Sequence, residues 1–268
     1  MNKKTSVFSR ALLALTSLFT VAMLVIRIIL MQTYDIVNGF YMNASLHSVF
    51  RYTLFAFTII VVAASYIYIK EGKNPILLPE SKIIDAVSLF PACIFTGFVV
   101  YTFAKIVIPT VSRPTTAEIF MALFSAVAVL YFLSANAKHK IGDARALLCT
   151  SSALVLLILV FGLYFNPTIS YINHSGVLCY AAAIFLMLAT VAEANSILKR
   201  AALRRYLAFA PVAIVLAFSL SVPDIIYALS NMKAPVIDIF YDIIIFGLAV
   251  YHLARLVTIA ITKPAIEE

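Results

Sequence analysis

The sequence predicts an all-α polytopic membrane protein, with eight transmembrane helices arranged as four helical hairpins closed on the outer side. Three observations predict it: a composition too apolar for a water-solvated surface, eight apolar runs of spanning length, and Lys and Arg gathered into alternate connections. Of 268 residues, 63% are hydrophobic and 12% charged, where a soluble domain carries about 25% charged residues. A hydrocarbon layer about 30 Å thick needs about 20 apolar residues per helix. The connections between such runs are too short for a soluble domain, so residues 1–268 read as a single integral membrane domain.

The spans are expected at about 8–33, 47–69, 83–108, 117–136, 145–165, 174–198, 206–228 and 236–262. The first carries Arg27 and no A-x-A site follows it, so it reads as a retained helix and not as a cleaved signal peptide. The second carries Arg51 near its start. The third contains Pro91 and the seventh Pro211, each of which removes a backbone donor and is expected to kink its helix. None of the seven Gly stand four apart. Close helix approach is therefore expected to rely on small residues such as Ala122, Ser125 and Ala126 in the fourth span and Ala181–Ala183 in the sixth. The fifth begins at Arg145 after a basic connection. The eighth is the most polar on one face.

Charge orients the chain, because positively charged connections stay on the cytoplasmic side. Of twenty Lys and Arg, fourteen fall at the N-terminus, in alternate connections or at helix ends facing them, from Lys3, Lys4 and Arg10 through Lys140 and Arg200 to Lys263. The opposite connections hold only Arg113 and Lys233, and the last four, Arg27, Arg51, Lys105 and Arg255, lie within spans. The expectation is a multi-pass protein of the plasma membrane with both termini cytoplasmic. Trp is absent; Tyr34, Tyr41, Tyr164, Tyr171 and Tyr227 are expected to form the outer aromatic belt, and Tyr66, Tyr68 and Tyr206 the inner one.

Pro109-Thr110-Val111-Ser112 and Pro167-Thr168-Ile169-Ser170 place one phrase in two successive outer turns, where Pro ends a helix and Thr or Ser can cap the next. Asn136 and Asn195 close the fourth and sixth spans in the same register, and Pro223 is read as opening the turn of the last pair. Tyr34-Asp35-Ile36-Val37 would be the turn of a diverged first hairpin. Either hairpin repetition or the restricted chemistry of turns explains the echo.

The charges within spans are the most informative, since a charge near the bilayer centre costs roughly 2.5 to 3.5 kcal/mol to insert and needs protein, water or a partner. At about 1.5 Å per residue, Arg27 and Asp242 share one depth and Arg51 and Asp224 another, slightly nearer the outer boundary. Lys105, Glu118, Asp238 and Asp35 lie nearer that surface still. Arg27, Arg51, Asp224, Asp238, Tyr241 and Asp242 form the candidate ligand-binding vestibule. In helix 8, Asp238, Tyr241, His252 and Arg255 share a sector of roughly 100°. Glu193 lies at the depth of Arg255, which makes these two a candidate buried ion pair.

Other chemistries find little support. The net charge of +8 is scattered over short connections, not gathered in the stripe that nucleic acid requires. The four His show no H-x-x-x-H or H-E-x-x-H spacing, no G-x-S-x-G elbow or phosphate-cradling Gly loop occurs, and Cys93, Cys149 and Cys179 are widely separated. No catalytic residue, metal or cofactor is expected, and gathered intramembrane carboxylates are the one enzymatic alternative. Membrane lipids are the expected surroundings. The acidic excess of the outer layer favours a cationic or zwitterionic small molecule or a lipid headgroup as ligand of a transporter or solute-binding protein. The alternative is an assembly or scaffold subunit whose partner is another membrane protein and whose internal charges form a static network.

The charge asymmetry predicts that cysteine labelling of intact cells leaves positions near Lys73, Lys140 and Arg200 protected and reaches those near Asn43, Arg113 and Lys233. A single inverted connection would overturn the eight-helix orientation.

Overall fold

The structure is a computed structural model that describes residues 3–35, 40–69, 78–108, 113–134, 143–165, 174–231 and 236–262. Its helices are α1 (Lys3–Met31), α2 (Ala44–Tyr68), α3 (Lys82–Val107), α4 (Thr116–Ser134), α5 (Asp143–Tyr164), α6 (His174–Ile197), α7 (Leu203–Asn231) and α8 (Val236–Ile261). All eight are long and apolar enough to cross a membrane. α1 begins ahead of the apolar run because Lys3 and Lys4 extend the helix as a polar turn.

Two expectations change. Pro223 does not open a turn: α7 runs through it to Asn231, since a helix among packed neighbours tolerates the loss of one donor. Asp224 is therefore held on a rigid helix. Between α1 and α2 lies a miniature antiparallel ladder, β1 (Tyr34–Asp35) and β2 (Phe40–Tyr41), with Tyr34 opposite Tyr41 and Asp35 opposite Phe40. Tyr34 and Asp35, expected in the turn, are therefore strand residues, and the ladder's aromatic residues are of a kind enriched in strands. The repeated Pro-Thr phrases and Asn136 lie outside the described residues.

Side-chain contacts show that successive helices alternate in direction. Arg10 near the start of α1 bonds the Ala260 carbonyl near the end of α8, while Arg27 late in α1 meets Asp224 late in α7. Lys105 late in α3 meets Glu118 early in α4. The end where α1, α3, α5 and α7 begin is here termed proximal, the other distal. α3 to α8 form a closed circuit in which α8 touches α3, α6 and α7, and α1 packs chiefly on α7 and α8 with α2 against α7 and α1. Consecutive helices from α3 to α8 touch across every connection, so contact alone does not divide the bundle into hairpins. Burial rises accordingly, from 22% of the apolar window in α1 to 67% in α8.

Local chemistry explains the element ends. Asn43 caps α2 by accepting from the Leu46 amide at 3.0 Å, and Ser81 caps α3. Thr115 and Glu118 make a reciprocal capping box at α4: Glu118 Oε2 accepts from the Thr115 amide at 2.5 Å, and Thr115 Oγ1 from the Glu118 amide at 3.2 Å. α6 ends on Lys199 in the left-handed region, φ 57°, a conformation that lets the Lys199 and Arg200 amides bond the Ser196 and Asn195 carbonyls. Gly247 lets α8 approach α3 closely: a side chain there would displace the end of Ile94, near Pro91. Pro211 leaves the Leu207 carbonyl without its helical amide, and Ser65 of α2 donates to that carbonyl at 3.0 Å from a fully buried position.

The last contact makes a prediction. Ser65→Ala should cost about 1 to 3 kcal/mol by stranding a buried acceptor, measured by denaturation in detergent micelles. In a Pro211→Ala background, where the helix supplies its own amide, the same change should cost markedly less. Equal costs in both backgrounds would disprove the compensation.

Candidate functional site

The polar interior is concentrated in two layers. The proximal layer centres on Glu193 of α6, 1% exposed, and Arg255 of α8, 3% exposed, which form an ion pair between Arg255 Nη2 and Glu193 Oε1. The same carboxylate oxygen accepts from the hydroxyls of Tyr131 of α4 at 2.7 Å and Tyr251 of α8 at 2.5 Å. Those hydroxyls stand 3.1 Å apart, and Tyr251 also accepts from Arg255 Nε and Nη2 at 3.3 and 3.2 Å. Arg255 Nη1 donates to the Pro79 carbonyl at 3.1 Å. Glu193 Oε2 is buried and accepts no hydrogen bond from the described residues.

His252 adjoins this group. Its Nδ1 is 3.0 Å from the Tyr206 hydroxyl of α7 and its Nε2 is 3.2 Å from Thr190 Oγ1 of α6. Cys149 of α5 donates to the Thr190 carbonyl at 3.7 Å and lies near Tyr131 and Glu193. Five helices, α4 to α8, thus contribute to one buried polar group, in which α4 and α8 bond the carboxylate of α6 directly. The arrangement follows from helical spacing: Tyr251 and Arg255 stand four apart on α8, as do Thr190 and Ala194 on the buried face of α6 beside Glu193.

The distal layer is different in character. Arg27 of α1, 1% exposed, pairs with Asp224 of α7, 16% exposed, at 3.0 Å, and its guanidinium lies 5.4 Å from the centre of the Tyr41 ring. Asp242 of α8 is partly buried and adds a second negative charge to the field at Arg27. Tyr241 is also partly buried. Arg51 stands apart, exposed and 5.3 Å from the centre of the Tyr52 ring. The buried stripe of α2 is Phe50, Leu54, Phe57, Val61 and Ser65, and Arg51 falls off it toward the exposed Tyr52 and Phe55. The backbone of Asp238 belongs to α8; its side chain lies outside what is described. Lys105 and Glu118 form a third pair, 3.0 Å, 6% and 2% exposed, with Lys105 Nζ 5.5 Å from the Tyr101 ring centre.

No protein-family model, curated protein or solved structure matches this chain. The site therefore has to be read from its own chemistry. Among the described residues no group of three or more His, Cys, Asp or Glu could hold a metal ion.

Several members of the proximal layer escaped the sequence reading. Tyr206, expected in the inner belt, is fully buried, and Tyr41, expected in the outer belt, is 6% exposed over Arg27. Both are drawn inward because each offers an aromatic face or hydroxyl to a buried polar partner. Tyr66, Tyr68 and Tyr164 are exposed. Tyr251 carried a signal, its place four residues before Arg255; Tyr131, Thr190 and Cys149 carried none, because they reach the site from other helices.

Removing either Glu193 or Arg255 should destabilise by about 3 to 5 kcal/mol, since the survivor would be an uncompensated buried charge. Glu193→Leu with Arg255→Met should cost less than either single change, the two tyrosine hydroxyls still bonding one another. Tyr251→Phe, which takes a donor from a carboxylate, should cost about 1.5 to 3 kcal/mol. Detergent-phase denaturation of the four variants checks the order; an additive double variant would refute a coupled network.

Proposed function

We propose that this multi-spanning membrane protein binds and transports a cationic or zwitterionic small molecule, or a lipid headgroup of that charge, through its distal charged layer. In this reading the protein lies in the plasma membrane, the proximal end and both termini are cytoplasmic, and the odd-to-even turns close the hairpins outside. The observation that carries it is the meeting of one buried guanidinium, Arg27, with two carboxylates, Asp224 and Asp242, both partly accessible. Asp224 bonds Arg27 directly, and Asp242 adds a second negative charge beside the pair. A carboxylate placed there at the cost of partial desolvation supports recognition of positive charge. Tyr241, partly buried on α8, adds aromatic surface of the kind that favours ammonium groups.

A second reading is an assembly or scaffold subunit with a static charge network. The closed Lys105–Glu118 pair favours it, since both partners are buried and bonded to each other and to the Thr115 cap. The readings differ in what Asp242 does.

Thermal denaturation of detergent-purified protein with choline, glycine betaine, spermidine, phosphocholine and glycerophosphoethanolamine separates them. At about 100 times Kd a specific ligand adds about 2.7 kcal/mol, a midpoint rise of roughly 5 to 10 °C for a chain of this size. Asp242→Asn should abolish that rise while staying folded, because Arg27 keeps Asp224. No stabilising compound, together with a loss of a few kcal/mol in Asp242→Asn itself, would decide for the static network.

A further inference from the structure

The four residues ahead of α3, Leu78-Pro79-Glu80-Ser81, belong to neither helix nor strand. They cross the proximal end of the bundle and are fastened by side chains from three other helices. The Leu78 amide donates to Ser196 Oγ of α6 at 2.8 Å, and Arg255 of α8 donates to the Pro79 carbonyl. Arg145 Nη1 of α5 donates to Glu80 Oε1 at 2.7 Å, and Ser81 Oγ lies 3.1 Å from Thr258 Oγ1 of α8. Behind this strap lie the Glu193–Arg255 pair and the buried thiol of Cys149, which stands one helical turn beyond Arg145.

The fastening is unlike the packing of the rest of the bundle. Leu78 is its one buried apolar anchor; each of the others is a single polar contact, and the one ion pair involves Glu80, 69% exposed, where water competes and little is gained. Ser81 joins the α3 ladder through the Asp85 amide, and among the described residues no other backbone hydrogen bond outside the helices holds the segment. A segment with one buried side chain and otherwise separable contacts opens at lower free energy than the core unfolds. What it covers is polar: Glu193 Oε2 and Arg145 Nε are buried without hydrogen bonds from the described residues.

We propose that residues 78–81 are a gate, latched by Ser196, Thr258 and the Glu80–Arg145 pair, whose opening admits water and small hydrophilic solutes from the proximal end to the Glu193–Arg255 network. The Arg255 bond to the Pro79 carbonyl links the two, because moving the strap removes one of the partners that hold the guanidinium in place. The gate does not rest on the ligand assigned to the distal layer, and its test reads access, not transport.

Cys149 is a built-in reporter. With Cys93→Ala and Cys179→Ala it is the sole cysteine, the chain having three. Its rate of modification by a charged, membrane-impermeant methanethiosulfonate, in detergent micelles and in inside-out vesicles, measures the open population when closing outpaces labelling. Labelling in the closed wild type should be slow relative to the SDS-unfolded chain. Ser196→Ala and Thr258→Val should each raise it about fivefold, the value of one net hydrogen bond, and Glu80→Gln, an exposed change that does not threaten folding, about twofold. Glu118→Gln, which weakens the distal Lys105–Glu118 pair without touching the strap, should leave the rate unchanged. Strap variants that label no faster than wild type, or no faster than Glu118→Gln, would overturn the gate, the second result assigning access to global unfolding.

Discussion

An ionised side chain removed from water must be neutralised where it stands, and in this protein that constraint organises the bundle. Arg27, Lys105 and Arg255 lie in three different helices, and each is answered by a carboxylate from another: Asp224, Glu118 and Glu193. Desolvating such ions costs several kcal/mol each unless geometry and further hydrogen bonds return it. The three pairs therefore act as registry pins. A slide of α8 by one turn would take Arg255 and Tyr251 from Glu193 and leave the carboxylate with Tyr131 alone.

The same logic governs the backbone. With no water to turn to, every carbonyl or amide released by a proline or a helix end has to find protein. Ser65 serves the Leu207 carbonyl across a helix interface, Arg10 serves the Ala260 carbonyl at the end of α8, and hydroxyls such as Thr16 and Ser221 fold back onto their own helices. Small buried residues complete the packing. α7 and α8, rich in buried Ala and flanked by α1, α3 and α6, form the centre on which the more exposed α1 and α2 lean.

The two polar layers differ in a way that bears on function. The distal pair is partly open on its carboxylate side and lies beside a second carboxylate, whereas the proximal network is almost wholly shut beneath a strap of polar contacts. Between them α8 presents Ile245, Leu248 and Ala249, all buried and apolar. The bundle thus has one partly accessible charged layer, an apolar middle and a second, buried charged layer.

The sequence by itself determined the class of protein and the helices: apolar run length and the scarcity of charge dictate helical crossings, and all eight spans fall within a few residues of the helices seen. It also placed Glu193 and Arg255 at one depth, because axial rise converts residue number into depth. It did not determine that Arg27 meets Asp224, that Arg51 faces outward on α2, or that Tyr131, Tyr206, Thr190 and Cys149 surround Glu193 and His252. Depth is a one-dimensional quantity that the chain carries locally. Azimuth and neighbour choice depend on how eight cylinders pack, and only the tertiary structure, where α8 meets α3, α6, α7 and α1 together, decided which side chains of equal depth would touch.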